Sequence, residues 1–386
     1  MNRGVSLYLD AMRAVAALVV FFSHFAYARF SGGAYLWFRE YNFGSDAVVV
    51  FFVLSGFLIA HAASRCDGAA GFATARIARL YSVVIPAIAL TFALDAIGRM
   101  ADPALYAPPW DQDGAPWREA WRAITFTNEG WGQASRLGTN GPYWSLAYEA
   151  WYYALFAAIF FTRRVRRMLL VALGAILAGP KILILAPCWA AGAVLHAVWM
   201  RGRVSLISRR AAVALIVTPV FAYFVLQLIG APDALYALTA QWMQIAEPSY
   251  VLGFSNEFLW NYVIAGLVVA HLTGIIAAAD LAPRLSQHLA KAIRWPAERS
   301  FALYLFHYPV LSCTAALLPL DRQSLTQNLL LFVIALAASY GLAEITERRL
   351  YAWRRWTDAV WAMISKFAGG IEAKPAAPSE FGQGKP

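Results

Sequence analysis

Long apolar segments separated by short charged clusters constrain this sequence more than any other feature. Ten such segments lie near residues 8–28, 46–64, 80–98, 143–162, 167–179, 182–200, 211–230, 257–278, 300–319 and 327–346. A helix needs about 20 predominantly apolar residues to cross a bilayer, and most of these segments approach that length. With 60% hydrophobic and 14% charged residues, the composition excludes an ordinary soluble domain and a disordered chain. The sequence therefore predicts an all-α, polytopic membrane helical bundle with about ten transmembrane helices. The short segment at 167–179 could be tilted, re-entrant or merged with the next one.

The distribution of lysine and arginine predicts how the bundle is oriented. With a cytoplasmic N-terminus, the inner side collects 23 of the 32 Lys and Arg residues and the outer side collects eight. Cytoplasmic loops of membrane proteins carry the excess of positive charge, so both termini are expected in the cytoplasm. The net charge of +10 is therefore assigned to orientation and to contacts with anionic lipid. No nucleic-acid partner is expected, and the predicted location is the inner (cytoplasmic) membrane of a bacterial cell.

The domain organisation predicted from composition is simple. Residues 1–366 form one transmembrane domain, and the polar, Pro- and Gly-rich residues 367–386 form a disordered cytoplasmic tail. Three cysteines, Cys66, Cys188 and Cys313, lie in or beside apolar segments without CxxC spacing. They predict neither a disulfide framework nor a metal site.

Two longer segments, 101–142 and 231–256, are predicted to face outward. The first carries four tryptophans, Trp110, Trp117, Trp121 and Trp131. These rings suit an interfacial aromatic belt. The alternative is a lid whose rings stack on a sugar or another amphipathic acceptor.

The first apolar segment carries an arginine and a histidine, Arg13 and His24, eleven positions apart. On a helix they are separated by roughly 16 Å along the axis. Ionisable groups are costly within a bilayer and usually functional. His24, Asp46 and Glu149 fall at similar depths near the outer side and are expected to share a polar cavity. A histidine beside a carboxylate suits a general base for a hydroxyl group; the alternative is a buried histidine satisfied by a structural carboxylate.

Arginines mark the opposite side of the predicted bundle. Arg76 and Arg79 have i, i+3 spacing, which puts both guanidinium groups on one helical face. Such a face suits diphosphate or 3′-phosphate oxygens, since arginine binds them with two parallel hydrogen bonds. Lipid headgroup contact is the alternative. Arg13 would extend this positive charge into the membrane, which a role in lipid contact does not explain.

Further polar or small residues lie between these two levels. Candidate substrate contacts are Trp144, Asn261, Tyr304 and His307. For His307, a hydrogen bond between helices is an equal alternative. Gly56, which follows Ser55, is expected to allow close packing of helices.

Five blocks occur in order over roughly residues 5–350: LDAMRAVAALVVFFSHF, GSDAVVVFFVLSGFLIA, ARIARLY, YWSLAYEAWYYALF and SFALYLFHYPV. Together they resemble the acyltransferase-3 family of integral membrane acyltransferases. The positions that match the family's motifs are Arg13, His24, Arg76, Arg79, Glu149, Tyr304 and His307. One departure is Ser300-Phe301, where Ser-Tyr is common.

The resemblance implies transfer of an acyl group, commonly acetyl from acetyl-CoA, to a hydroxyl of a glycan or lipid-linked sugar. The expected donor is cytoplasmic acetyl-CoA or another acyl-CoA, without a metal. The expected acceptor belongs to a cell-envelope polysaccharide, such as an exopolysaccharide or a lipopolysaccharide. Some relatives carry a fused extracytoplasmic esterase-like domain. This sequence is expected to have none, and to finish its product either alone or with polysaccharide-assembly proteins as partners. Succinyl transfer, a permease for a lipid-linked sugar, and a structural subunit remain alternatives.

Overall fold

In the computed structural model, the protein is described over residues 1–110, 114–132, 134–281 and 286–347, with residues 355 and 359. The tail predicted at 367–386 and the predicted end of the domain at 366 lie outside these residues.

Each of the ten apolar segments overlaps a helix of at least 15 residues. These helices are α1 (Arg3–Phe25), α4 (Phe43–Ala63), α5 (Ala69–Ala101), α7 (Trp144–Phe161), α8 (Arg164–Ala178), α9 (Pro180–Met200), α10 (Arg209–Leu228), α13 (Phe258–Ala277), α15 (Ser300–Leu317) and α16 (Leu325–Glu347). Six further α-helices lie in the connections: α2 (Ala28–Ser31), α3 (Leu36–Glu40), α6 (Pro116–Ile124), α11 (Ala231–Met243), α12 (Pro248–Leu252) and α14 (Gln287–Glu298). An all-α polytopic membrane protein is thereby confirmed.

Eight of the helical segments in the described part of the chain are long and apolar enough to cross a membrane. Helices α7 and α8 are not among them. Helix α8 has 15 residues, and α7 carries Glu149 among Trp and Tyr residues. All ten predicted segments are therefore helical, but length and composition support eight membrane spans in the described residues rather than the predicted ten or so.

Helix α15 lies at the centre of the bundle and is its most buried span. It packs against α1, α5 and α16, while α4 packs against α1, α9 and α13. Helices α1, α4, α5 and α15 thus enclose the interior in which the polar residues of the sequence motifs meet.

Glycines allow α4 and α9 to approach closely. A Cβ atom at Gly56 would lie 1.9 Å from the carbonyl oxygen of Trp189, and one at Gly192 would lie 1.9 Å from that of Val53. Two reciprocal backbone contacts therefore hold the helices together. This confirms the packing role predicted for Gly56.

The outer segment 101–142 is anchored at its end rather than free. Asp95 of α5 accepts hydrogen bonds from the backbone N–H of Thr139 at 2.9 Å and from its hydroxyl at 2.6 Å. The Asn140 side chain donates to the carbonyl of Leu305 in α15 at 2.9 Å. Residues 139–140 are consequently fixed to two core helices. The other predicted outer loop, 231–256, is largely helical, because it contains α11 and α12.

A buried carboxyl lies in the middle of this outer segment. Burial raises the pKa of Glu129 to about 8, and the positive charges of Lys181 and Arg136 offset only part of that rise. Between the ordinary carboxyl pKa and about 8, the folded protein holds a proton that the unfolded chain loses. Stability contributed by this group therefore falls as the pH rises through that interval.

Candidate active site

A polar cavity of about 690 Å³ lies between α1, α4, α5, α7 and α15. Its charged end is formed by residues predicted at the cytoplasmic face. The charged residues that line the cavity are Arg13, Arg76, Arg79, Glu149, Glu298, Arg299 and Glu344. The other end is lined by Phe51, Phe52, Ser145 and Tyr304. The cavity therefore runs from a cationic mouth toward an aromatic interior.

The three predicted arginines meet at this mouth. Arg76 and Arg79 both lie near the start of α5, and both line the cavity, as i, i+3 spacing requires. Arg13 donates from Nη2 to the hydroxyl of Ser300 at 3.3 Å, which brings α1 and the start of α15 together. The Nε atom of Arg76 is buried and has no hydrogen-bond partner in the described part of the chain. A buried donor of this kind is costly unless a ligand satisfies it.

The departure from the family pattern at position 301 has a clear environment. The guanidinium carbon of Arg79 lies 5.3 Å from the centre of the Phe301 ring. A cation over an aromatic face is attracted by the ring quadrupole. Phe301 therefore orients Arg79 through its ring without needing a tyrosine hydroxyl.

Glu149 lies within the cavity and is held by two hydroxyl groups. The hydroxyls of Ser55 and Tyr153 donate to its Oε1 at 2.6 and 2.5 Å. Deeper in the cavity, the hydroxyl oxygens of Ser145 and Tyr304 lie 2.7 Å apart. Polar groups thus continue along the cavity toward α15.

One turn beyond Tyr304, a second histidine touches His24. The Nε2 atom of His307 lies 3.1 Å from Nδ1 of His24. The Nδ1 atom of His307 lies 2.7 Å from the carbonyl oxygen of Tyr304, and His24 Nδ1 lies 2.8 Å from that of Val20. The Tyr308 ring packs edge-on against the His24 ring, with centroids 5.1 Å apart.

These contacts assign the tautomers of both rings. A carbonyl oxygen only accepts, so His307 carries its proton on Nδ1 and has a lone pair on Nε2. His24 then donates from Nδ1 toward Val20 and His307, which leaves its own Nε2 unprotonated. No hydrogen-bond partner of His24 Nε2 occurs in the described residues. His24 is therefore oriented as an acceptor of a proton.

The predicted grouping of His24 with Asp46 and Glu149 is not what the structure shows. Asp46 accepts hydrogen bonds from Tyr223 at 2.5 Å, Gln227 at 2.9 Å and Trp260 at 3.0 Å. Its side chain thus faces α10 and α13, away from the contact between α1 and α15. Depth along a helix can be read from sequence, but the direction in which a side chain points around the helix axis depends on packing.

Three of the predicted substrate contacts, Trp144, Asn261 and His307, lie outside the cavity lining. The Trp144 ring stacks on Phe254 with centroids 4.5 Å apart. Asn261 is buried in α13, and its backbone carbonyl oxygen accepts a hydrogen bond from the Cys188 thiol at 3.5 Å. The structure therefore brings together Tyr304 and His307, whereas Trp144 and Asn261 lie in separate packing environments.

Sequence reasoning does not identify several residues of this site. Ser145, Tyr153 and Tyr308 contribute to the cavity or to the histidine pair. Each lies within four residues of a predicted site residue, which was the available signal. In the part of the chain that the structure describes, no group of His, Cys, Asp and Glu is arranged to hold a metal ion.

Comparison with known proteins supports one assignment. A family model described as an acyltransferase domain matches residues 6–345. No curated protein and no solved structure matches the chain. The match spans most of the 386 residues, and it includes every residue of the cavity and of the histidine pair. The chain therefore belongs to the acyltransferase-3 family of membrane acyltransferases.

Proposed function

We propose that this membrane acyltransferase moves an acyl group, acetyl in the first instance, from cytoplasmic acyl-CoA to a hydroxyl of an extracytoplasmic glycan or lipid-linked sugar. The observation that carries the proposal is the cationic cavity that ends at Tyr304, one helical turn from the His307–His24 pair. The cavity mouth offers arginines suited to phosphate, and the histidine pair just beyond the end of the cavity offers a proton acceptor.

The donor end accounts for the arginines. Phosphate groups of acyl-CoA would bind Arg76 and Arg79 and satisfy the buried Nε atom of Arg76. The narrow pantetheine arm would continue past Arg13, with its thioester toward Tyr304. Four arginines and three glutamates line the cavity, and this excess of positive charge favours an anionic occupant over a neutral one.

The acyl-transfer step uses His24 as the general base. Its Nε2 atom would take the proton of the acceptor hydroxyl while that oxygen bonds to the thioester carbonyl carbon. The carbon–sulfur bond then breaks, and the proton passes to the departing thiolate. The products are the acylated sugar and free CoA. The hydroxyl of Tyr304, at the inner end of the path, is the candidate donor to the transient oxyanion.

The experiment that tests this function measures transfer of a labelled acyl group by the purified protein. Labelled acetyl-CoA, and succinyl-CoA in parallel, would be offered with envelope glycans from a strain that lacks the gene. General-base catalysis is typically worth 10²–10⁴-fold, so His24→Ala should reduce transfer by about that factor. Donor binding should be retained, because His24 does not line the donor cavity.

His61→Ala is the matched control. His61, in the last turn of α4, is likewise paired with another histidine, His196, at 3.3 Å, but it does not line the cavity. Its variant should retain transfer. Full turnover by His24→Ala would exclude the general-base role, and a wild-type protein that releases no CoA would favour a permease.

A further inference from the structure

On the outer side of His24, two arginines surround a pair of aromatic rings. The guanidinium carbon of Arg39 lies 3.5 Å from the centre of the Tyr27 ring, and that of Arg29 lies 4.7 Å from the Trp110 ring. The two rings pack edge to face, with centroids 4.8 Å apart. The Tyr27 ring also lies 6.2 Å from the His24 ring. This outer arginine–aromatic cluster consists of Tyr27, Arg29, Arg39 and Trp110.

Arg29 has buried donors that nothing in the described protein satisfies. Its Nη2 donates to the carbonyl of Leu105 at 2.6 Å, but Nε and Nη1 are buried without a hydrogen-bond partner among the described residues. Burial lowers the pKa of Arg29, consistent with a guanidinium that has lost much of its hydration. Buried charged donors are normally paired, so two orphan N–H groups indicate a missing acceptor.

Arg39 differs from Arg29 in what it contacts. Its Nη1 donates to the carbonyl of Ser23 at 3.0 Å, in the last turn of α1. The guanidinium therefore lies beside the turn that carries His24. The nearby Arg322 has an acidic neighbour, because its Nη2 lies 3.9 Å from Asp102. Within the cluster itself, the guanidinium groups of Arg29 and Arg39 place positive charge next to the proposed general base.

Rings and arginines together fit one class of ligand. Partly exposed aromatic rings present a face on which the apolar side of a sugar can pack. Guanidinium groups bind carboxylate or phosphate with two parallel hydrogen bonds. We infer that the acceptor is an anionic saccharide whose carboxylate or phosphate binds Arg29 and Arg39 while its hydroxyl reaches His24.

This inference rests on the proposed acyl transfer, and its test separates the two. Glycans and lipid-linked sugars from a strain lacking the gene would be divided by anion exchange into neutral and anionic pools before any reaction. Each pool would be offered separately to purified wild-type protein with labelled acyl-CoA. Transfer to the anionic pool is expected. Transfer to the neutral pool alone would overturn the inference but not the proposed function, whereas no transfer to either pool would contradict the proposed function itself.

Two substitutions test the arginines directly. Arg29→Gln and Arg39→Gln should each raise the KM for the anionic pool by about 10- to 100-fold, the effect of losing a charge-assisted hydrogen-bonded pair. The dissociation constant of acyl-CoA should not change, which also shows that the variants fold. Arg29→Lys, which keeps the charge, should recover part of the loss.

The control variant changes another arginine of the predicted outer side whose guanidinium group lies over a tryptophan ring. The guanidinium carbon of Arg118 lies 5.2 Å from the centre of the Trp117 ring, and the side chain is exposed. Arg118→Gln should therefore leave the KM unchanged. An equal KM for wild type and both cluster variants would overturn the inference.

The source of the negative charge is settled by treating the labelled product. Mild acid cleaves a sugar from a lipid phosphate, so it would release label from a butanol-soluble product if phosphate is the ligand. Carbodiimide reduction of uronic acids in the anionic pool would instead abolish its use as acceptor if carboxylate is the ligand. If neither treatment has its effect, neither a lipid-linked phosphate nor a uronic acid is the recognised group, and the inference in this form fails.

Discussion

At the scale of single residues, the site pairs two neutral imidazoles where many hydrolytic sites pair histidine with a carboxylate. His307 accepts from His24 through a lone pair that its own contact with the Tyr304 carbonyl leaves available. A neutral acceptor avoids placing a second bare charge in a low-dielectric interior. The orientation of His24 is thereby fixed without the cost of burying an anion.

This arrangement makes His307 a positioning residue. His307→Leu removes one of the two acceptors of His24 Nδ1 and leaves the Val20 carbonyl as the other, so we expect kcat to fall by about 10²-fold, at the low end of general-base effects. His307→Gln supplies an amide oxygen and should recover part of the rate. The pH profile of kcat/KM should also shift in the leucine variant, because the His24 proton is then held differently.

A purely structural role for His307 would give a different result. Loss of packing would lower the yield of folded protein and acyl-CoA binding in both variants alike. Equal activity of the leucine and glutamine variants, with an unchanged pH profile, would contradict the positioning role.

At the scale of helices, the sequence predicts much of the architecture because hydropathy and charge act along the chain. All ten apolar segments are helical, and Arg13, Arg76 and Arg79 lie together as their depth suggested. The direction of a side chain around its helix is a tertiary property. Hydropathy gives no signal for this direction in α4, because that helix is apolar on all sides. The sequence therefore groups Asp46 with His24, although the Asp46 side chain faces α10 and α13.

The close approach of α4 and α9 yields an element-scale prediction. Gly56→Ala would place a methyl group 1.9 Å from the Trp189 carbonyl oxygen, so the helices must separate. We expect destabilisation of about 1–3 kcal/mol, the usual cost of overpacking, seen as a lower thermal unfolding midpoint in detergent. Because Ser55 and Glu149 are hydrogen-bonded beside this contact, acyl-CoA affinity should fall as well.

Gly266→Ala is the control for this substitution. No heavy atom of the described structure lies within 4 Å of a Cβ at Gly266, and the residue also lies within a helix. Alanine has the higher helix propensity, so this variant should be neutral or slightly stabilising. A similar decrease for both variants would show that the contact between α4 and α9 is not what lowers the unfolding midpoint.

At the scale of the whole molecule, the arginine mouth and the outer cluster lie toward opposite ends of α1, because Arg13 lines the mouth and Arg39 contacts Ser23 in the last turn of that helix. Lys and Arg counts predict that the mouth faces the cytoplasm. Donor and acceptor should therefore be used from different sides of the bilayer. Liposomes containing the protein, with the anionic acceptor pool trapped inside and labelled acyl-CoA added outside, should accumulate labelled glycan in the lumen.

Substitutions of the arginines at the cavity mouth should weaken donor binding and leave acceptor binding unchanged. Arg76→Gln combined with Arg79→Gln should raise the dissociation constant of acyl-CoA by about tenfold or more, because each guanidinium can form charge-assisted bonds to phosphate. The KM for the acceptor should stay near its wild-type value. Arg166→Gln, at an exposed arginine on the same predicted face, is the matched control and should bind the donor normally. If labelled glycan forms only when donor and acceptor are in the same compartment, a reaction across the membrane is contradicted. Donor and acceptor would then not bind from opposite sides of the bilayer.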